Sequence, residues 1–284
     1  MDGFIFIDKK EGVSSREASF PLKKIFNTSK IGHVGTLDPF ASGLLIVAIN
    51  KATKGITFFD DFKKEYIATI KLGIETDSSD IDGKVISKKD VPFLSLDKIK
   101  EVLNSFLGKS SQLPPMTSAI HVNGVKLYKL AHQGLEVERP LKDIEIFNIE
   151  LIDYHDDELT FKAEVSKGTY IRILGKDIAT KLGTVGHLIS LRRTKVGPFD
   201  ISEASKIEDI NDLSLKSTYY VLKEFSSVIC YDDEKNEDIK NGKIKILNES
   251  IRSDKLLVVD KSNEVVAMYT KNIDGQYQFA RGLF

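Results

Sequence analysis

The chain has 284 residues, 41% apolar and 29% charged, with a formal net charge of −1, which is ordinary globular composition at a length that buries a full core. No apolar run approaches the roughly 18–20 residues needed to span a bilayer, and the opening residues lack the charged, apolar and small-residue series of a secretory signal, so a soluble cytoplasmic protein is expected. The single cysteine, Cys230, excludes an intrachain disulfide and offers no thiolate pair for zinc.

In chain order, Gly3 to Asp8 reads as a buried strand, and Ser14-Ser15-Arg16-Glu17 has the spacing of a capping box that starts a helix to about Asn27. The glycine-punctuated stretch Ile31 to Gly43 cannot stay regular for long; it feeds the apolar run Leu44 to Ile49, a central strand. Residues 65–73 have β-branched and aromatic content, and Thr76 to Gly83 reads as a turn. Ser95 and Gly108 bracket a helix over about 96–107. Gln112 to Arg139, with Pro114-Pro115 and scattered glycines, reads as an excursion from the main sheet. Glu158 to Val165 alternates as a strand, Lys167-Gly168 turns, and Tyr170 to Leu182 has helical spacing stopped by Gly183, before an extended run carrying Leu191-Arg-Arg-Thr-Lys195. After about Phe225 short strands at 242–246, 255–259 and 264–269 suggest a small β module of about 55 residues. The fold class is α+β, a mixed sheet with flanking helices and a small C-terminal β module.

Charge is unevenly distributed. Residues 121–160 carry 4 Lys and Arg against 9 Asp and Glu, whereas 161–200 carry 8 against 3. A near-neutral total does not advertise a nucleic-acid binder, but the basic stretch permits a local phosphate-binding face, against the commoner reading of a solvated charge run.

Few residues offer chemistry. Asp38 lies in the glycine-rich loop with Pro39 after it. Asp-Pro commonly marks a helix N-cap or a simple turn, but Gly32, Gly35 and Gly43 would also let a substrate approach an exposed carboxylate able to act as nucleophile or base. His33, five residues earlier, is by itself more often structural than catalytic. The five histidines have no metal-ligand spacing, and neither a nucleophile elbow, a phosphate loop nor a dinucleotide fingerprint is present. These features leave a cofactor-free, metal-free reaction. Tyr66 and Tyr170 stand in basic surroundings, where a ring either packs in the core or stacks on an unpaired base. Arg172 has the fork to pair with a carboxylate such as Asp38.

The run Gly32-His-Val-Gly-Thr-Leu-Asp-Pro-Phe-Ala-Ser-Gly-Leu-Leu45 closely resembles the catalytic signature of the TruB family of tRNA pseudouridine synthases. Further matches follow in order: Asp8 to Ser15, Lys64-Glu-Tyr66, Leu72-Gly73, Thr76 to Gly83, Gln112 to Ala119, Lys126-Leu-Tyr128, Ser166 to Arg172 and Leu191-Arg-Arg193. The resemblance covers roughly residues 3–200, with looser similarity of the tail to a PUA-like RNA-binding module.

This resemblance implies a catalytic domain over 1–226, with an RNA-clasping insertion at about 109–150, and a PUA-like module over 227–284. It implies isomerisation of the T-loop uridine, position 55 of tRNA, with Asp38, Arg172 and Tyr66 as the catalytic set. His33 would help displace the uridine, Tyr66 would stack on the flipped base, Tyr170 and Leu191 would line its pocket, and Arg172 would pair with Asp38. No cofactor, metal, membrane or obligate protein partner is expected, and the enzyme is expected to act on the tRNA T arm as a monomer. Lys10 stands where the family has proline, which leaves the Asp8-Lys9-Lys10 turn less secure. A non-catalytic RNA-binding or RNA-folding protein on the same scaffold is the alternative.

Overall fold

The first apolar run forms β1 (Gly3–Lys9), buried at every position but Asp8. In the computed structural model, which describes residues 1–116, 121–122, 125–126, 137–231, 236–243 and 253–283, the capping box is complete. Ser14 Oγ accepts from the Glu17 N–H at 3.2 Å and Glu17 Oε2 accepts from the Ser14 N–H at 2.8 Å, opening α1 (Ser15–Ser19). The single helix expected to Asn27 is two, because Pro21 has no N–H to continue the ladder, and the chain restarts behind it as α2 (Leu22–Ile25). The stretch expected to be loop contains a short strand, β2 (Ile31–Val34), paired antiparallel with β3 (Ser42–Ile49).

Then follow β4 (Lys64–Leu72), a hairpin of β5 (Ile74–Thr76) and β6 (Val85–Lys88), and α3 (Leu96–Asn104), whose N-cap Ser95 accepts from the Lys98 N–H. β7 (Gly108–Gln112) is followed by the small pair β8 (His121–Val122) and β9 (Val125–Lys126), then β10 (Lys142–His155) and β11 (Glu158–Val165). The expected excursion is therefore rooted in the sheet at both ends, since β7 and β10 pair from Gln112↔Lys142 to Gly108↔Ile146. Residues 117–120, 123–124 and 127–136 of the expected insertion lie outside the described residues. The helix expected over 170–182 is α4 (Ile171–Lys181), stopped by Gly183 at φ +92, and it leads into β12 (Gly186–Val196).

The chain ends with β13 (Phe199–Asp200), β14 (Lys216–Ser217), α5 (Thr218–Leu222), β15 (Ser227–Cys230), α6 (Asn236–Lys240), β16 (Lys255–Val259), β17 (Val265–Lys271) and β18 (Tyr277–Gly282). Of the strand expected at 242–246, residues 244–246 lie outside the described residues. No helix among the described residues is long and apolar enough to cross a membrane.

Two compact units emerge, and the chain passes between them at four points, one of them the Asp38–Pro39 bond. One comprises Met1–Asp38, Leu44–Asp60 and Pro198–Phe284; the other comprises Pro39–Gly43 and Asp61–Gly197. In the first unit β1 lies between β14 and β3, and β2 extends β3. Phe4, Phe59, Phe199 and Phe225 stack edge-on or tilted at 5.2–6.4 Å between ring centroids, each such pair contributing about 0.5–1.5 kcal/mol beyond its buried area. The C-terminal strands form a separate sheet in the order β15-β16-β17-β18 over a core that includes Ile239, Leu256, Val258, Tyr269 and Tyr277. The expected α+β class is thus observed.

In the second unit the order is β12-β4-β11-β10-β7, with every neighbouring pair antiparallel. Alternation in β4 buries Tyr66, Ala68, Ile70 and Leu72 on one face, as period two requires. That face is covered by α4. Gly175 is so close to Leu188, and Gly186 to Ala179, that a Cβ on either would stand about 2.7 Å from its neighbour. These two contacts run α4 antiparallel to β12.

Candidate active site

In the first unit, Asp38 sits in the loop between β2 and β3, half-buried. The backbone enters this loop through Gly35 at φ +60, a left-handed conformation that glycine adopts without strain. Pro39 and Phe40 make a turn that runs directly into β3, so no helix begins there and the N-cap reading of Asp-Pro does not hold. The residue before Asp38 is fixed from outside the loop. Ser15 Oγ accepts from the Leu37 N–H at 2.8 Å and donates to the Leu37 carbonyl at 3.0 Å, and both residues are buried. His33, expected in the loop, is on β2 opposite Val47, with Nε2 3.2 Å from Thr36 Oγ1.

In the second unit, Tyr66 is buried in register with Ala163 on one side and Arg193 on the other. Leu191 joins it through a bulge. β12 pairs Leu188 with Ile70 but Ser190 with Thr69, so one extra residue slips the register. Without it Ser190 would stand opposite Ala68 and Leu191 would point to the other side; with it, Leu191 pairs with Ala68 on the buried face. Arg172 lies one turn before Gly175 on α4, and Tyr170 is the N-cap of the same helix.

Arg172 has a partner that the sequence reading missed. Its Nη1 donates to Asp80 Oδ2 at 3.2 Å and to the Ser78 carbonyl at 3.1 Å, with only 4% of the arginine side chain and 7% of the aspartate exposed. Asp80 is held in turn: its Oδ1 accepts from Ser78 Oγ and from the Asp82 N–H, and its carbonyl accepts from Thr76 Oγ1. The segment read merely as a turn is therefore a cradle for a guanidinium. The signal available in the sequence was the density of short acceptors from Thr76 to Asp82.

The chain just after Asp38 also belongs to this unit. Ser42 and Gly43 pair in parallel with Arg192 and Arg193. Gly43 has φ +105, and a Cβ there would run into the Arg193 backbone, so glycine is required on both counts.

The basic stretch 161–200 is less cationic in space than in sequence. Five of its eight cations, Lys162, Lys167, Arg172, Lys176 and Lys195, pair with Glu150, Asp61, Asp80, Glu75 and Glu65. Arg193 is fully buried. The lysine pairs are partly exposed, contribute about 0–1 kcal/mol each and can exchange for phosphates. Among the described residues no three His, Cys, Asp or Glu side chains converge as metal ligands would.

A family model described as TruB family pseudouridylate synthase (N terminal domain) matches residues 23–171, and one described as tRNA pseudouridylate synthase B C-terminal domain matches 172–229. The chain belongs to the TruB family. The tRNA pseudouridine synthase B of Francisella tularensis subsp. tularensis (strain WY96-3418) is 42% identical over 250 residues, covering 85% of this chain and 83% of that protein. The protein of the same name from Francisella philomiragia subsp. philomiragia is likewise 42% identical over 250 residues, with the same coverage. Among solved structures, a chain of a Cbf5-Nop10-Gar1 complex superposes with a TM-score of 0.75 at 25% identity, covering 99% of this chain and 85% of that one. A chain of an H/ACA RNP bound to a substrate RNA containing 2'-deoxyuridine shares the fold, with a TM-score of 0.73 at 23% identity and coverage of 99% and 85%. Asp38, Tyr66 and Tyr170 fall within the N-terminal match, and Arg172 is the first residue of the C-terminal one.

Proposed function

We propose that this protein isomerises a uridine of tRNA to pseudouridine, with Asp38 as the catalytic carboxylate and the T-loop uridine, position 55, as its target. The observation that carries the reading is the family match running unbroken from residue 23 to residue 229, which includes a half-buried aspartate whose preceding residue, Leu37, is pinned by Ser15 in a loop free of helical capping. In the reaction the N1–C1′ bond breaks, the uracil turns and a C5–C1′ bond forms; a proton leaves C5 and N1 gains one. Atoms and electrons balance within the nucleoside, so the chemistry requires no oxidant, reductant or cosubstrate. The carboxylate of Asp38 acts on the ribose or assists cleavage of its bond to the base.

A base inside a stacked loop must be everted before a carboxylate reaches its sugar, at a cost of a few kcal/mol that RNA loops keep low. His33 is assigned to that displacement, Tyr66 to stacking on the everted base, and Tyr170 and Leu191 to the pocket wall. Arg172, supported by Asp80, is the cation assigned to Asp38. In this reading residues 1–226 are catalytic, the segment at about 109–150 clasps RNA, and residues 227–284 are a PUA-like RNA-binding module. The protein acts in the cytoplasm as a monomer on the tRNA T arm.

The test is incubation of the purified protein with unmodified tRNA transcript, without metal or nucleotide, followed by position-resolved detection of pseudouridine. One modified uridine in the T loop is expected. Tight, salt-sensitive binding without product at any protein concentration would leave a binding protein instead.

A further inference from the structure

Gln112 ends β7 and is 5% exposed. Its side chain makes two hydrogen bonds to one residue far along the chain: Oε1 accepts from the Tyr170 N–H at 2.8 Å, and Nε2 donates to the Tyr170 carbonyl at 3.1 Å. One partner only donates and the other only accepts, so the pair fixes which way the amide lies. The side chain takes the place that a neighbouring strand would have beside an extended residue. Tyr170 has such a backbone, φ −93 and ψ 107, at the start of α4, where its own side chain supplies no cap.

The surroundings extend this clasp. The turn that precedes Tyr170 lies along the β7–β10 stem, with the Ser166 N–H donating to the Glu145 carbonyl and Ser166 Oγ accepting from the Glu145 N–H, both at 2.8 Å. Lys142, which pairs with Gln112 in the ladder, folds its side chain over Gly168. Beyond Gln112 the stem is closed by Arg139, which donates to the Pro114 carbonyl at 2.9 Å. Two residues after Tyr170, Arg172 is held by Ser78 and Asp80. The first turn of α4 is therefore gripped from two sides, by the root of the 109–150 segment and by the β5–β6 turn, with buried Ile171 between the grips.

We propose that Gln112 is a positioning residue: by clasping the Tyr170 backbone from the end of β7 it fixes the first turn of α4, and through that turn the placing of Tyr170 and Arg172 for the reaction. This inference rests on the tRNA reading above and adds the residue that holds the first turn of α4 for it.

The test uses two substitutions in the full chain. Gln112→Met keeps length and removes both hydrogen bonds. Gln112→Glu keeps the acceptor for the Tyr170 N–H but sets an oxygen against the Tyr170 carbonyl, an arrangement that is repulsive when ionised and relieved when the introduced carboxyl is protonated. Ser111→Ala, which loses a surface bond to Asp143, is the control.

On unmodified tRNA, Gln112→Met is expected to lower kcat about 10- to 100-fold while KM changes less than about threefold, with the circular dichroism spectrum retained. The activity of Gln112→Glu relative to wild type at the same pH is expected to rise at least about fivefold as pH falls from about 8 to about 6, while the Gln112→Met ratio stays flat. Wild-type turnover by Gln112→Met, a rise in KM that accounts for its whole defect, or a pH-independent Gln112→Glu ratio would each overturn the proposal. If wild type itself leaves tRNA unmodified, the functional reading has failed. The clasp is then tested by hydrogen exchange at the Tyr170 amide, which is expected to quicken in Gln112→Met; unchanged exchange would overturn the clasp as well.

Discussion

Replacing Asp80 by Asn removes a negative partner of a guanidinium that has 4% of its side chain exposed. At 3.2 Å and an effective dielectric constant of about 20, the attraction between unit charges is about 5 kcal/mol. Removing one member of a buried, hydrogen-bonded ion pair typically costs about 3–5 kcal/mol. Asparagine keeps an oxygen for Ser78 Oγ and the Asp82 N–H, so the loss isolates the contact with Arg172, where an amide N–H₂ now faces a donor. The assay is urea unfolding followed by circular dichroism, with the change read from the midpoint at constant slope. Asp80→Asn is expected to lower stability by about 3–5 kcal/mol, and the double variant Asp80→Asn/Arg172→Met by less than the sum of the two single changes. A loss below about 1 kcal/mol, typical of an exposed pair, or strict additivity in the cycle, would refute the view that this arginine depends on Asp80.

Other residues give equally direct expectations. Ser15→Ala leaves the Leu37 N–H and carbonyl buried without their hydroxyl; it is expected to cost about 1–3 kcal/mol in stability and to depress kcat more than KM, because the neighbouring residue is Asp38. Gly43→Ala puts a side chain at φ +105 against the Arg193 backbone and is expected to destabilise by at least about 1–3 kcal/mol, read as a lower unfolding midpoint. Tyr66→Leu keeps an apolar group on the buried face but loses the ring, and kcat/KM is expected to fall by about 1–3 kcal/mol, or roughly 5- to 150-fold; an unchanged kcat/KM would remove the stacking role.

Local signals were legible where the physics is local. The Ser14 capping box, the Ser95 cap, the strands Glu158–Val165 and Lys255–Val259, and the stop at Gly183 all rest on spacing within a few residues, and all are observed. Pro21 breaks the first helix by a rule that could have been applied to the sequence. Strand β10 escaped notice because Asp143, Glu145, Glu150 and Asp153 give its run an acidic, loop-like texture, whereas its stability comes from ladders to β7 and β11.

At the site, the TruB-like signature drew attention to Asp38, Tyr66, Tyr170 and Arg172, but their supports were not legible. Ser15 reaches Leu37 across 22 positions, Asp80 reaches Arg172 across 92, and Gln112 reaches Tyr170 across 58. Such contacts depend on which strands become neighbours, not on spacing along the chain. The bulge that turns Leu191 onto the buried face is of the same kind, since a register slip leaves no mark in composition.

The role of Asp38 is tested most directly by single-turnover conversion of unmodified tRNA by Asp38→Asn beside a binding measurement on the same RNA. No pseudouridine over many wild-type half-lives, with tRNA affinity within about threefold of wild type, is the expected result. Product formed by Asp38→Asn at a rate near that of wild type would contradict it.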